Sequence, residues 1–234
     1  MKWVRDASKK FPERPYYDMD ELDFECEGQV TSFLQAKHGV ANFPISTDDL
    51  TVLVEGEVAD LDLGVDLSNE GENVEGLTDF LPDSKPRVRI SDKLMLPSMY
   101  NRLRTTLTHE LGHVKFHSFL WAFGQQPLLA ITMQNHCPRC KRGTILNANK
   151  VDWMEWQAGY ASGAYLMPIT HLKHVVQGVL HSAKWEGPVS VASTLAGELV
   201  SQVTDAFQVS ADAARVRLIK CEFLTEEALP EKLI

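Results

Sequence analysis

The stretch "TLTHELGHVKFH" (residues 106–117) contains two histidines four residues apart, with a glutamate directly after the first. Apolar residues repeat around it at spacings of three and four, which predicts a helix of about 20 residues. On a helix, His109 and His113 lie on one face about 6 Å apart along the axis, so both imidazoles can point at one ion. Glu110 lies about 100° further round, where a general base for a metal-activated water belongs. The stretch therefore predicts a zinc site.

A third ligand has to come from beyond this pair. His117 lies two turns after His109, about 12 Å along a straight helix, which is too far to share the ion. The position ten residues after His109, a second common place for a histidine ligand, is Phe119. Glu155 is the best candidate, because it is an acid on an otherwise apolar predicted helix, where an unpaired charge would be costly. Asp152 is the alternative, although an acid at a helix start also serves as a cap.

The order of predicted elements indicates an α+β fold, with strands early and helices late. "DMDELDFECEGQVTSFLQAKHG" (18–39) predicts a first helix, and "DDLTVLVEGEVADLDLG" (48–64) predicts two strands joined by a turn at Gly56. "PRVRIS" (86–91) predicts a strand that is a candidate edge for pairing with an extended peptide. Later helices are predicted over 151–168 and 170–181, and the tail from Pro188 is mostly helical.

Composition excludes some classes of protein. The chain of 234 residues has no run of about 18 apolar residues, so no membrane span is expected. Its start has no apolar signal segment, and four cysteines are too few to staple a secreted fold of this size, so we expect a cytoplasmic protein. The net charge is −9, and residues 1–100 hold 10 basic and 21 acidic side chains. This acidic half disfavours DNA as the main partner.

Two linked motifs resemble those of the ImmA/IrrE family of zinc metallopeptidases. "THELGHVKFH" (108–117) followed by "EWQAGYASGAYLMP" (155–168) is similar to the family pattern H-E-L-G-H, then E-x-x-A, in a helix that ends on L-M-P. "RLRTTLTHELGH" (102–113), "FPISTDDL" (43–50) and "DAFQVSADAARVRL" (205–218) also resemble family segments. The resemblance covers most of the chain, from about Tyr16 to Leu224.

This resemblance implies a thermolysin-like minimal zincin core, made of a small sheet, an active-site helix and a glutamate helix. It implies that His109, His113 and Glu155 bind zinc and that Glu110 is the catalytic base. The implied domains are residues 1–185, with an insert at about 122–150, and a helical C-terminal lobe, 186–234, that is helix-turn-helix-like. The implied substrate is a specific protein such as a helix-turn-helix repressor. One departure is Gly159, where thermolysin-type enzymes carry a second acid, so the group that orients the zinc histidines is not identified by sequence.

The long gap between His113 and Glu155 holds "HCPRCKRGTIL" (136–146). Cys137 and Cys140 have the spacing of half a structural zinc site. A complete site needs two more ligands, which His136, His171, His174, Cys26 or Cys221 would have to supply. The competing interpretation is a surface loop without a metal.

The segment "FQVSADAARVRLIKCEF" (207–223) resembles a DNA-recognition helix, with Arg215, Arg217 and Lys220 expected on its surface. The favoured interpretation is a helical lobe packed on the core by apolar residues such as Val209 and Leu218. The sequence thus predicts a zinc endopeptidase. The alternatives are a zinc-holding binding module that does not cut, and a DNA-binding regulator. The oligomeric state is left open.

Overall fold

The computed structural model describes residues 1–71, 73–81, 84–122, 139–141 and 152–226, with the backbone alone for 122 and 139–141. The fold is a mixture of helices and small sheets, which confirms the predicted α+β class. The helices are α1 (Met19–His38), α2 (Thr47–Glu57), α3 (Tyr100–His117), α4 (Phe119–Ala122), α5 (Trp153–Leu166), α6 (Ile169–Ser182), α7 (Thr194–Phe207) and α8 (Ala211–Lys220). The strands are β1 (Lys2–Arg5), β2 (Glu13–Tyr16), β3 (Asp60–Val65), β4 (Val74–Asp79), β5 (Arg87–Ser91), β6 (Arg139–Lys141), β7 (Val189–Ser190) and β8 (Leu224–Thr225).

The largest sheet has the strand order β3-β5-β4-β6. Strand β5 runs parallel to β3 and antiparallel to β4, and β6 pairs antiparallel with the other side of β4. The expectation that "PRVRIS" forms a free edge for an extended peptide is therefore wrong, because this strand lies between two others. Apolar alternation at Val88 and Ile90 predicted the strand itself correctly, but it does not report how many neighbours a strand has.

The strand predicted over the first part of residues 48–64 is also wrong, because this segment forms helix α2. The Ser46 side chain caps the helix by accepting a hydrogen bond from a backbone N–H. Leu50, Leu53 and Val54 are buried at helical spacing, while Val52 is 41% exposed. Val52 and Val54 alternate as the residues of a strand do, which led to the wrong prediction. The Ser46 cap and the helical spacing of the buried residues are the features of a helix. The second predicted strand is present as β3.

One main hydrophobic cluster includes side chains from α1, α2, the large sheet, α3, α5 and the C-terminal helices. In the C-terminal segment, Val209 and Leu218 are buried in this cluster, as the packing interpretation predicts. Arg217 was expected on the surface but is only 2% exposed, and its guanidinium donates to Asp23 of α1 at 2.5 Å. Lys220 is half-buried over the ring of Tyr160. Of the three basic residues expected on the surface of α8, Arg215 is exposed, whereas Arg217 is buried and Lys220 half-buried.

A smaller aromatic cluster lies where the β1–β2 hairpin meets α4 and the start of α5. Its buried members include Phe11, Leu120 and Trp153. This cluster holds the hairpin against α5, the helix that carries Glu155. No helix in the described residues combines the length and the apolar character needed to cross a membrane.

Candidate metal centre

Helices α3 and α5 pack against each other at unusually short range. A Cβ atom on Gly112 of α3 would lie 3.0 Å from the Cα and 3.2 Å from the carbonyl oxygen of Ala158. The absence of a side chain at position 112 therefore lets the two backbones approach closely. Gly112 lies directly before His113, and Ala158 lies one turn after Glu155. This contact places the carboxylate of α5 opposite the imidazoles of α3.

Three ligand-type side chains converge at this contact. Nε2 of His109 lies 3.2 Å from Oε2 of Glu155, and Nε2 of His113 lies 3.4 Å from Oε1 of the same carboxylate. The two Nε2 atoms are 3.1 Å apart. Both imidazoles are fully buried, and Glu155 is 7% exposed. Among the residues that the structure describes, this is the one group of three or more His, Cys, Asp and Glu side chains that could hold a metal ion.

The electrostatics of the three side chains favour a positive charge between them. Burial acts to raise the pKa of Glu155, but the adjacent His113 and His109 outweigh it and hold that pKa well below its usual range. Burial acts to lower the pKa of His113, but the Glu155 carboxylate outweighs it and raises that pKa. Both shifts mean that the buried carboxylate stabilises a cation beside it, and a proton and a metal ion are alternative occupants.

Glu110 is fully buried on the side of α3 that faces β4. The Thr78 hydroxyl of β4 donates to Oε2 of Glu110 at 2.6 Å, while Oε1 has no hydrogen-bond partner among the described residues. Burial raises the pKa of Glu110, and the nearby His113 and His109 offset only part of that effect. One carboxylate oxygen is thus fixed by the sheet and the other remains available to a proton donor.

Gly76 of β4 makes room for this carboxylate. A Cβ atom at position 76 would lie 2.5 Å from Oε1 of Glu110 and 2.8 Å from Cγ2 of Thr106, closer than packed atoms approach. The sequence interpretation missed both Gly76 and Thr78. The available signal was an isolated glycine inside a strand pattern, which often marks a close approach of another group to the backbone.

The ring of His113 contacts a further histidine on its own helix. Nδ1 of His113 is 3.0 Å from Nδ1 of His117, and Nε2 of His117 is 3.0 Å from Oε1 of Gln157. The amide nitrogen of Gln157 donates to the Pro15 carbonyl at 3.2 Å. Burial lowers the pKa of His117 well below its usual value, and His113 adds to this effect, so the imidazole is neutral. The sequence excluded His117 as a ligand, and the described group of ligands does not include it.

The alternative ligand Asp152 lies outside the site. It occupies the residue before α5, where its side chain makes no capping hydrogen bond, and Oδ1 lies 3.4 Å from Nζ of the exposed Lys10. The second predicted site stays a prediction. Cys137 lies outside the described residues, and only the backbone of Cys140 is described, in β6 opposite Gly76.

Comparison with known protein families gives no match to this chain. No curated protein matches it either. The functional assignment therefore rests on the geometry of the site and on the chemistry of its residues.

Proposed function

We propose that this chain is a zinc-dependent endopeptidase. The observation that carries the proposal is the convergence of two imidazoles and a carboxylate next to a second, buried carboxylate with one unpartnered oxygen. His109, His113 and Glu155 are the proposed zinc ligands, and Glu110 is the proposed catalytic base. Two histidines and a glutamate form one of the ligand sets that catalytic zinc sites use.

The spacing of the three side chains suits a small tetrahedral ion. Zinc bonds of about 2.0–2.1 Å in a tetrahedron place the ligand atoms roughly 3.3 Å apart. The two Nε2 atoms are 3.1 Å apart, and those of His109 and His113 lie 3.2 and 3.4 Å from the two different oxygens of Glu155, Oε2 and Oε1. Two nitrogen ligands also favour zinc over magnesium or calcium, which prefer oxygen.

The residues around the site divide the work of peptide hydrolysis. Zinc held by these ligands would supply the Lewis acidity to activate a water and to polarise a peptide carbonyl. The Glu110 carboxylate takes a proton from that water through Oε1 and delivers it to the leaving amine. Its pKa is raised by burial, which makes it a stronger base than an exposed glutamate. The Thr78 hydroxyl keeps the carboxylate in one orientation throughout.

The proposal extends to the fold and family that the motifs imply. The motif helix α3 lies against the sheet through β4 and against the glutamate helix α5, an arrangement that supports a thermolysin-like zincin core. Membership of the ImmA/IrrE family, and the division into domains 1–185 and 186–234, rest on the resemblance of the quoted motifs. So does the proposed substrate, a specific cytoplasmic protein such as a helix-turn-helix repressor.

Glu110→Gln is the decisive variant. It removes the base but keeps the size of the side chain, so we expect unchanged zinc content and a loss of cleavage of about 1000-fold or more. Purified chain is incubated with helix-turn-helix repressors, including any that prove to be encoded beside its gene, and separately with fluorescein-labelled casein, with and without a chelator. Cleavage by Glu110→Gln at the wild-type rate would contradict the mechanism.

A second function is favoured by one observation, the complete burial of Glu110 and both imidazoles. A closed site of this kind suits a metal-stabilised binding module that recognises a partner without cutting it. In that case wild type binds zinc and the repressor, but both substrates remain intact. A DNA-binding function of the tail is not proposed, because Arg217 is buried against Asp23 and the recognition surface lacks this arginine.

A further inference from the structure

A chain of hydrogen bonds runs from the proposed metal site to the N-terminal hairpin. It begins at Nδ1 of His113, passes through His117 and Gln157, and ends at the carbonyl oxygen of Pro15 in β2. His113, His117 and Gln157 are at most 1% exposed. The ring of His117 is held edge-on against Trp153, with 5.3 Å between ring centroids and an interplanar angle of 87°. Each contact is therefore formed in the protein interior by a side chain with a fixed orientation.

The Pro15 carbonyl, the last acceptor in this series of hydrogen bonds, determines which atom donates in each of them. A carbonyl oxygen can only accept, so Gln157 has to present its NH₂ group to Pro15 and its Oε1 to His117. His117 then carries its proton on Nε2 and accepts on Nδ1. His113 consequently donates from Nδ1, so its neutral imidazole, the form that binds a metal, carries its lone pair on Nε2.

Nε2, which carries this lone pair, is the atom of His113 that faces His109 and Glu155. We infer that His117 is a positioning residue, which holds His113 in the tautomer and ring orientation that present Nε2 to the metal. This inference rests on the metal centre of the proposed function but does not require peptide cleavage. His109 is held differently, because its Nδ1 has no hydrogen-bond partner among the described residues. The two imidazoles are thus unequal, and His113 is the pre-organised one.

Two substitutions at His117 separate hydrogen bonding from packing. His117→Asn keeps an acceptor oxygen close to the place of Nδ1, so we expect zinc affinity within about 3-fold of wild type. His117→Leu keeps apolar volume but removes the acceptor, so we expect affinity about 10–100-fold weaker. Gln157→Leu leaves His117 in place but removes the acceptor that keeps its proton on Nε2. We expect this variant to lose zinc affinity by an amount between those of the two His117 variants. His181→Asn, at an exposed position near the end of α6, is the matched control.

The measurements are zinc competition with a chromophoric chelator and ¹⁵N NMR of the histidine rings in the metal-free wild-type chain. NMR is expected to show His117 protonated on Nε2 and unprotonated on Nδ1, a result that does not depend on any variant folding. The opposite tautomer of His117 would overturn the inference. So would a folded His117→Leu, verified by its thermal unfolding, that binds zinc as tightly as wild type.

These outcomes are distinct from failure of the proposed peptidase. A wild-type chain that binds zinc with the expected dependence on His117 but cuts neither casein nor repressor overturns the peptidase and supports the inference. If the wild-type chain cuts substrate and both His117 variants bind zinc as tightly as wild type, the peptidase is supported and the inference is overturned.

Discussion

At the scale of single residues, the candidate site depends on atoms that the H-E-x-x-H motif does not include. Glu110 is confined between Thr78, which fixes one oxygen, and Gly76, which leaves space for the other. Both belong to β4, more than 30 positions before the motif. The geometry of the proposed base is therefore set by the sheet as much as by its own helix.

Gly76→Ala is expected to displace Glu110 while the ligands stay in place. The added methyl group would lie 2.5 Å from Oε1 of Glu110, so the carboxylate or the strand must move. A displacement of about 1 Å at a catalytic group lowers rates by roughly 100-fold, and overpacking costs about 1–3 kcal/mol of stability. Cleavage of casein or repressor measures the rate, zinc content shows whether the ligands stay in place, and thermal unfolding measures the stability.

Gly64→Ala in β3 is the control, because a Cβ there meets nothing within 4 Å. Cleavage by Gly76→Ala at the rate of this control would show that the close contact does not constrain Glu110.

The sequence was informative about residues within one helix and about a carboxylate in an apolar environment. Helical spacing predicted that His109 and His113 share a face, and the cost of burying a charge singled out Glu155. The role of His117 was missed because its distance was compared only with the ion, not with His113 one turn away. Gln157 and Pro15 could not be linked to it, because 142 positions separate them and local periodicity says nothing about such contacts.

At the scale of helices and strands, a buried ion pair joins the last helix to the first. Arg217 of α8 donates to Asp23 of α1 and to the Met167 carbonyl that ends α5. The Tyr160 hydroxyl donates to the second oxygen of Asp23. The sequence analysis placed Arg217 on the surface. The sequence of one helix does not show which of its faces the neighbouring elements bury. Here α1 supplies the buried acid that makes an inward-facing arginine favourable.

Arg217→Met is expected to lower the free energy of unfolding by about 3–5 kcal/mol, because it leaves the Asp23 carboxylate buried without its cation. Arg215→Met, on the exposed face of the same helix, should change it by less than about 0.5 kcal/mol. Urea unfolding followed by circular dichroism measures both. Equal destabilisation of the two variants would show that the ion pair does not anchor α8.

At the scale of the whole molecule, the proposed ligands lie on two helices that belong to the main hydrophobic cluster. Side chains of α3 and α5 pack there against α1, the sheet and the C-terminal helices. The three ligands come together only when α3 and α5 are packed, and the unfolded chain separates Glu155 from His113 by 42 positions. Metal binding and folding are therefore coupled.

Metal removal should consequently lower the unfolding temperature of the whole chain. Free zinc at about 100 times its dissociation constant stabilises the folded state by about 2.7 kcal/mol. For a chain of this size that corresponds to roughly 5–10 °C. Differential scanning calorimetry with and without a chelator measures the shift. The variant with His109→Ala and His113→Ala should show no response to zinc, and a wild-type midpoint that is also unresponsive would contradict a zinc site.

The acceptor at the end of the His117 chain is a main-chain oxygen, with a consequence for how this site tolerates mutation. No change of side chain at position 15 deletes that oxygen. The register of the hairpin is different, because a shift of one residue in the pairing of Lys2–Arg5 with Glu13–Tyr16 would exchange the faces of the strands and move the Pro15 carbonyl. The register of the two N-terminal strands, rather than the side chain at position 15, therefore determines which carbonyl oxygen accepts the hydrogen bond from Gln157.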